Sequence, residues 1–88
     1  LECFLSRPDN KNMRDERLKI LGDNIRAERM RKRLSQEKLA ELIGVHKDSV
    51  KNIENAYQTP SAFIVFDIAN ALNIPIEDLF KNVPVKRD

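Results

Sequence analysis

Gly44 falls in the middle of SQEKLAELIGVHKDSVKNIENA, residues 35–56, a run that would otherwise make one long amphipathic helix. Glycine takes, at little cost, the left-handed conformation that closes a helix. Apolar residues recur at helical spacing on both sides of it, with Leu39, Leu42 and Ile43 before and Val50 and Ile53 after. The spacing therefore predicts two short helices, about 36–43 and 47–55, joined by a tight turn in which Val45 tucks inward. Such a pair holds the second helix across the first and presents its outer face.

The remainder of the chain also reads as helical. Leu18, Leu21 and Ile25 form a stripe in a first helix over about 15–33, which Gly22 interrupts. Ser35 suits an N-cap, and Glu37 sits where the helix dipole favours negative charge. Thr59-Pro60-Ser61 stops the chain and caps a fourth helix over about 61–72. Asn73-Ile74-Pro75 separates that helix from a short fifth, about 76–81, and Tyr57 is expected to face inward after the third. No segment alternates as a strand would. The expected fold class is all-α, a compact five-helix domain over 15–81 between a flexible arm, 1–14, and a flexible tail, 82–88. Met13 reads as a candidate translation start, which would leave residues 1–12 as upstream sequence.

Several function classes are poorly served by these residues. A domain of 88 residues leaves no room for a separate sensing or catalytic unit. Cys3 is the single cysteine, so neither a disulfide framework nor a multi-cysteine metal site is expected. No nucleophile–base set, metal-ligand cluster or phosphate-cradling loop is evident, which argues against an enzyme and against a cofactor. No apolar run approaches the roughly 20 residues needed to span a bilayer, and residues 1–12 lack a signal-peptide pattern. The expected location is the cytoplasm.

Wound at about 100° per residue, Lys47, Asp48, Lys51, Asn52 and Asn55 share an arc of about 140° on the third helix. Val50 and Ile53 lie on the opposite side. Those polar groups suit base edges: Lys donates to guanine, Asn pairs bidentately with adenine, and Asp accepts from cytosine. Taken alone, the arc fits a solvated helix face at least as well.

The ordered set Leu34-Ser35-Gln36, Leu39-Ala40, Gly44-Val45, Val50, Ile53-Glu54, Pro60-Ser61, Ile68-Ala69, Ala71-Leu72 and Leu79-Phe80 carries more weight. With it, the chain resembles the Cro/C1-type (XRE) helix-turn-helix family over about residues 18–80. The resemblance implies a lambda-repressor-like domain that binds double-stranded operator DNA, usually as a dimer. It places base contacts on Lys47, Asp48 and Asn52, with Lys51 close by, and phosphate contacts on Gln36 and Asn55. It also implies an ion pair between Arg29 and Glu54, clamping the first helix to the third.

Three departures from the family pattern stand out. Ala56 occupies the place of the usual Gly after the third helix, so either Asn55 takes the left-handed conformation or the helix ends differently. His46 replaces the usual Ser or Thr cap and is expected as a turn residue touching a phosphate. The stretch AFIVF opens the fourth helix with apolar residues where the family tends to be polar. Since Val65, Ile68 and Leu72 suffice for the inward face, Phe63 and Ile64 are left over. With Ile76 and Phe80 they are expected to form a homodimer interface. The function expected is a sequence-specific transcriptional regulator, repressor or activator, bound as a homodimer to a palindromic operator. The alternative is an antitoxin or other regulator that acts mainly on a protein partner.

Overall fold

A computed structural model describes residues 3–85, with side chains from residue 16 onward. Four α-helices, α1 (Cys3–Arg31), α2 (Gln36–Ile43), α3 (Lys47–Glu54) and α4 (Ala62–Leu72), are followed by a 3-10 helix, Ile76–Phe80. The fold is all-α, but the expected fifth α-helix is this 3-10 turn. Five residues behind Pro75, without a side-chain cap, favour the tighter winding.

Helix α1 begins at Cys3 rather than near Asp15. An apolar stripe marks where a helix starts to pack, and the helical backbone here runs on ahead of that point. Its 29 residues, at about 1.5 Å each, account for the molecule's 46 Å long axis. The last part of the expected tail, 86–88, and residues 1–2 lie outside the described residues.

One closure ends all four α-helices. After α2, the Val45 N–H reaches back to the Ala40 carbonyl (3.0 Å) and the Gly44 N–H to that of Glu41 (3.3 Å). The same pair of bonds recurs at Arg33-Leu34 after α1, Ala56-Tyr57 after α3 and Asn73-Ile74 after α4. Each uses a left-handed residue, with φ of 61° at Arg33, 77° at Gly44, 65° at Ala56 and 59° at Asn73. Ala56 itself therefore turns left-handed, and Asn55 stays at φ −93°. In three of the closures the following side chain, Leu34, Val45 or Ile74, packs onto the core. Tyr57 does not: it is 80% exposed, against expectation.

The core gathers Leu21 and Ile25 of α1, Leu39 and Ala40 of α2, Val50 and Ile53 of α3, Val65, Ile68, Ala69 and Leu72 of α4, and Leu79. Leu42, expected inward, is 51% exposed, because α2 needs only Leu39, Ala40 and part of Ile43 to cover its neighbours. The 3-10 helix is tied to α1 by Asn24, whose Nδ2 donates to the carbonyls of Leu79 and Lys81, both at 2.9 Å.

Gly22 is where α1 crosses the end of α3. A Cβ there would lie 2.4 Å from the Glu54 carbonyl oxygen and 2.8 Å from that of Ile53. Both obstacles are backbone, so no rotamer change relieves them. Gly22→Ala is expected to destabilise the domain by about 1–3 kcal/mol despite alanine's better helix propensity. Denaturant unfolding measures this; a variant as stable as the parent would show that α1 and α3 can part freely.

Candidate nucleic-acid interface

Two capped N-termini open onto the candidate surface. The Ser35 Oγ accepts from the Lys38 N–H at 2.9 Å, leaving the first-turn N–H groups of Gln36 and Glu37 without an intrahelical acceptor. At the start of α3, the Nδ1 of His46 accepts from the Asp48 N–H at 3.1 Å. The imidazole thus does the work of the hydroxyl it replaces. Ser35 and Lys38 of α2 line one open depression together with His46 and Lys47, so both helix starts face a shared space.

Along α3 the polar arc points outward. Lys47, Asp48 and Lys51 are exposed, Asn52 is half-buried, and Val50 and Ile53 are buried beneath them. Among the described residues, no hydrogen bond or ion pair restrains the side chains of Lys47, Lys51 or Asn52. They are available to a ligand.

Beneath this arc lies a buried carboxylate. Glu54 is 2% exposed and takes Arg29 side-on, Nε to Oε2 at 2.6 Å and Nη2 to Oε1 at 3.1 Å. The third Arg29 nitrogen, Nη1, donates to the Leu34 carbonyl at 2.7 Å, so the pair also fixes the turn into α2. Gln36 donates its Nε2 to Glu54 Oε1 at 2.9 Å. One acid on α3 is therefore held by α1 and α2 at once. Gln36, expected at a phosphate, has its amide turned to Glu54, and the free N–H groups around it are the donors that face outward.

Asn55 ends α3 with its Oδ1 accepting from Arg26 Nη2 at 2.9 Å. Arg26 stands three residues before Arg29 on α1, the spacing that puts both guanidinium groups on one helix face.

A second surface is apolar. Phe63 is 80% exposed, Ile76 39% and Phe80 42%. Ile64 differs from expectation, since it packs against the core. Phe66, 54% exposed and one helical turn from Phe63, takes its place. The near-continuous apolarity of AFIVF concealed which of its residues turn outward.

The helix-turn-helix family model, of the Cro/C1 type, matches residues 25–79. The chain is a member of that family. It is therefore a DNA-binding transcriptional regulator and not an enzyme. Among its relatives, the control protein C.SmaI of Serratia marcescens is 30% identical over 69 residues, 78% of this chain and 82% of that protein. The HTH-type transcriptional regulator YazB of Bacillus subtilis is 38% identical over 60 residues, 68% of this chain and 87% of its own. The crystal structure of the restriction-modification controller protein C.AhdI from Aeromonas hydrophila superposes with a TM-score of 0.70 at 35% identity. It covers 72% of this chain and 96% of that one. The Corynebacterium glutamicum regulator ClgR, at 22% identity and a TM-score of 0.70 over 72% of this chain and 67% of that one, shares the fold. Among the described residues no helix is long and apolar enough to cross a membrane, and no group of potential metal ligands assembles.

Proposed function

We propose that this family member is a sequence-specific transcriptional regulator that binds a palindromic operator as a homodimer in the cytoplasm. The observation that carries the reading is the outward arc of Lys47, Asp48, Lys51 and Asn52 on a helix whose underside is fixed by Glu54. Asp48 meets His46 Nδ1 at 3.6 Å, and the other three side chains are unrestrained among the described residues. In this reading those four side chains meet base edges in the major groove. The N–H groups beside Gln36 bind a phosphate at the positive end of α2, and His46 and Asn55 flank the reading helix at further phosphates. Likeness to two control proteins, C.SmaI and C.AhdI, supports a regulator that acts through this domain. The homodimer forms through Phe63, Phe66, Ile76 and Phe80 on the adjoining α4 and 3-10 helix, setting two reading helices about 34 Å apart.

Lys47→Ala and Asn52→Ala are each expected to cost about 1–3 kcal/mol of specific binding while leaving non-specific binding nearly unchanged. Sites selected from a random duplex pool supply the specific DNA, and titration at one stated salt concentration supplies the affinities. If both variants discriminate like the parent, base reading lies elsewhere. The exposed aromatic surface also favours a second reading, in which a different protein covers Phe63 and Phe66. A chain that sediments as a monomer yet binds such a partner would support it.

A further inference from the structure

The C-terminal end of a helix carries partial negative charge, so a phosphate approaching Asn55 at the end of α3 meets repulsion unless a cation stands beside it. Arg26 is that cation. We propose that Arg26 of α1 and Asn55 of α3 together form a two-pronged phosphodiester site at this end of the reading helix, an inference that rests on the operator-binding reading above.

The charge balance at Glu54 supports it. Arg29, whose side chain is 12% exposed, satisfies that carboxylate with bonds of 2.6 and 3.1 Å. Gln36 adds a third at 2.9 Å. Arg26 approaches the same acid no closer than 3.5 Å and remains 40% exposed. Its other ionic neighbour, Asp23, lies 4.0 Å away and is 72% exposed. Two guanidinium groups thus share one buried acid, and the more exposed of them, Arg26, is the less neutralised, its other carboxylate being solvated and 4.0 Å away.

The geometry directs that charge. The Arg26 bond goes to Asn55 Oδ1, a neutral acceptor that orients the guanidinium without neutralising it. The same bond fixes the carboxamide so that its Nδ2 keeps both protons, with no acceptor among the described residues. A guanidinium edge and an amide then lie side by side, matching the two non-bridging oxygens of one phosphate. Gly22 allows the close approach of α1 to α3 on which this meeting depends, with the Glu54 and Ile53 carbonyls against its backbone.

The test is the salt dependence of duplex binding, together with a scan of operators in which single phosphates are replaced by neutral methylphosphonates. Arg26→Gln, confirmed folded by circular dichroism, should lower the slope of log affinity against log salt by about 0.9, the value for one phosphate contact. Between about 50 and about 200 mM salt, its affinity should then fall about 3.5-fold less than the parent's. Arg26→Lys should restore the slope. One methylphosphonate position that weakens the parent should leave Arg26→Gln unaffected. Should Arg26→Gln fail to fold, Asn55→Asp examines the same site with Arg26 in place: a carboxylate there cancels the charge and should flatten the slope equally. A parental slope in either folded variant overturns the site. Parental binding that lacks any salt dependence would instead sink the operator-binding reading itself.

Discussion

Glu54→Ala should lower the stability of this domain by about 3–5 kcal/mol, because it leaves the Arg29 guanidinium largely buried without its partner. For a domain of this size each kcal/mol moves Tm by about 4–8 °C, so a fall of at least about 12 °C is expected. Arg29→Ala should be comparably severe. It strands a fully buried carboxylate and also removes the bond that holds the Leu34 carbonyl. The effects should not add, since the pair acts as one unit. Replacing both by leucine is expected to cost much less than the sum of the single changes, because neither charge is then left uncompensated. Calorimetry of the singles and the double closes the cycle. Single variants that melt within about 2 °C of the parent, well under the shift for one kcal/mol, would show that the pair bears no weight.

Phe63→Glu combined with Phe66→Glu should convert the proposed homodimer to a monomer. Both rings are exposed in the single chain, at 80% and 54%, so the monomer's own core loses little. A two-fold interface buries each ring twice, at about 1.5–3 kcal/mol per ring fully covered. Losing all four, even partly covered, weakens association by on the order of a thousandfold. Added carboxylates facing one another across the axis oppose it further. Sedimentation gives the mass and unfolding gives the stability. A dimer of undiminished affinity would move the interface off α4, while a variant that loses its fold would show that Phe63 and Phe66 belong to the core after all. Ile64 makes a poor probe, since it packs inward and its substitution confounds assembly with folding.

The sequence made the central motif legible because Gly44, Ser35 and the apolar spacing each act locally. The remaining closures were harder to see. Asn73 tolerates the left-handed conformation, but Arg33 and Ala56 take it against their own preference, forced by the path of the next segment across the core. Gly22 looked like a weakness in a helix and is a point of contact, which becomes visible only when α3 is laid across it. The outward arc of α3 could be computed from 100° steps. That Asn55 is coupled to Arg26 could not, because 29 residues separate them. Phe66 was missed for a simpler reason: in AFIVF every position is apolar, so the period that separates inside from outside carries no contrast.

The shared acid at Glu54 has an evolutionary corollary. Its three partner side chains come from two other helices, so the tilt of α3 is set by residues outside its exposed arc. Lys47, Lys51 and Asn52 bear no such duty, and exchanges at solvent-facing positions usually alter stability by no more than about 0.5 kcal/mol. On the proposed reading, descendants of this chain would acquire new target sites by exchanging a few fingertips while the hand keeps its grip angle.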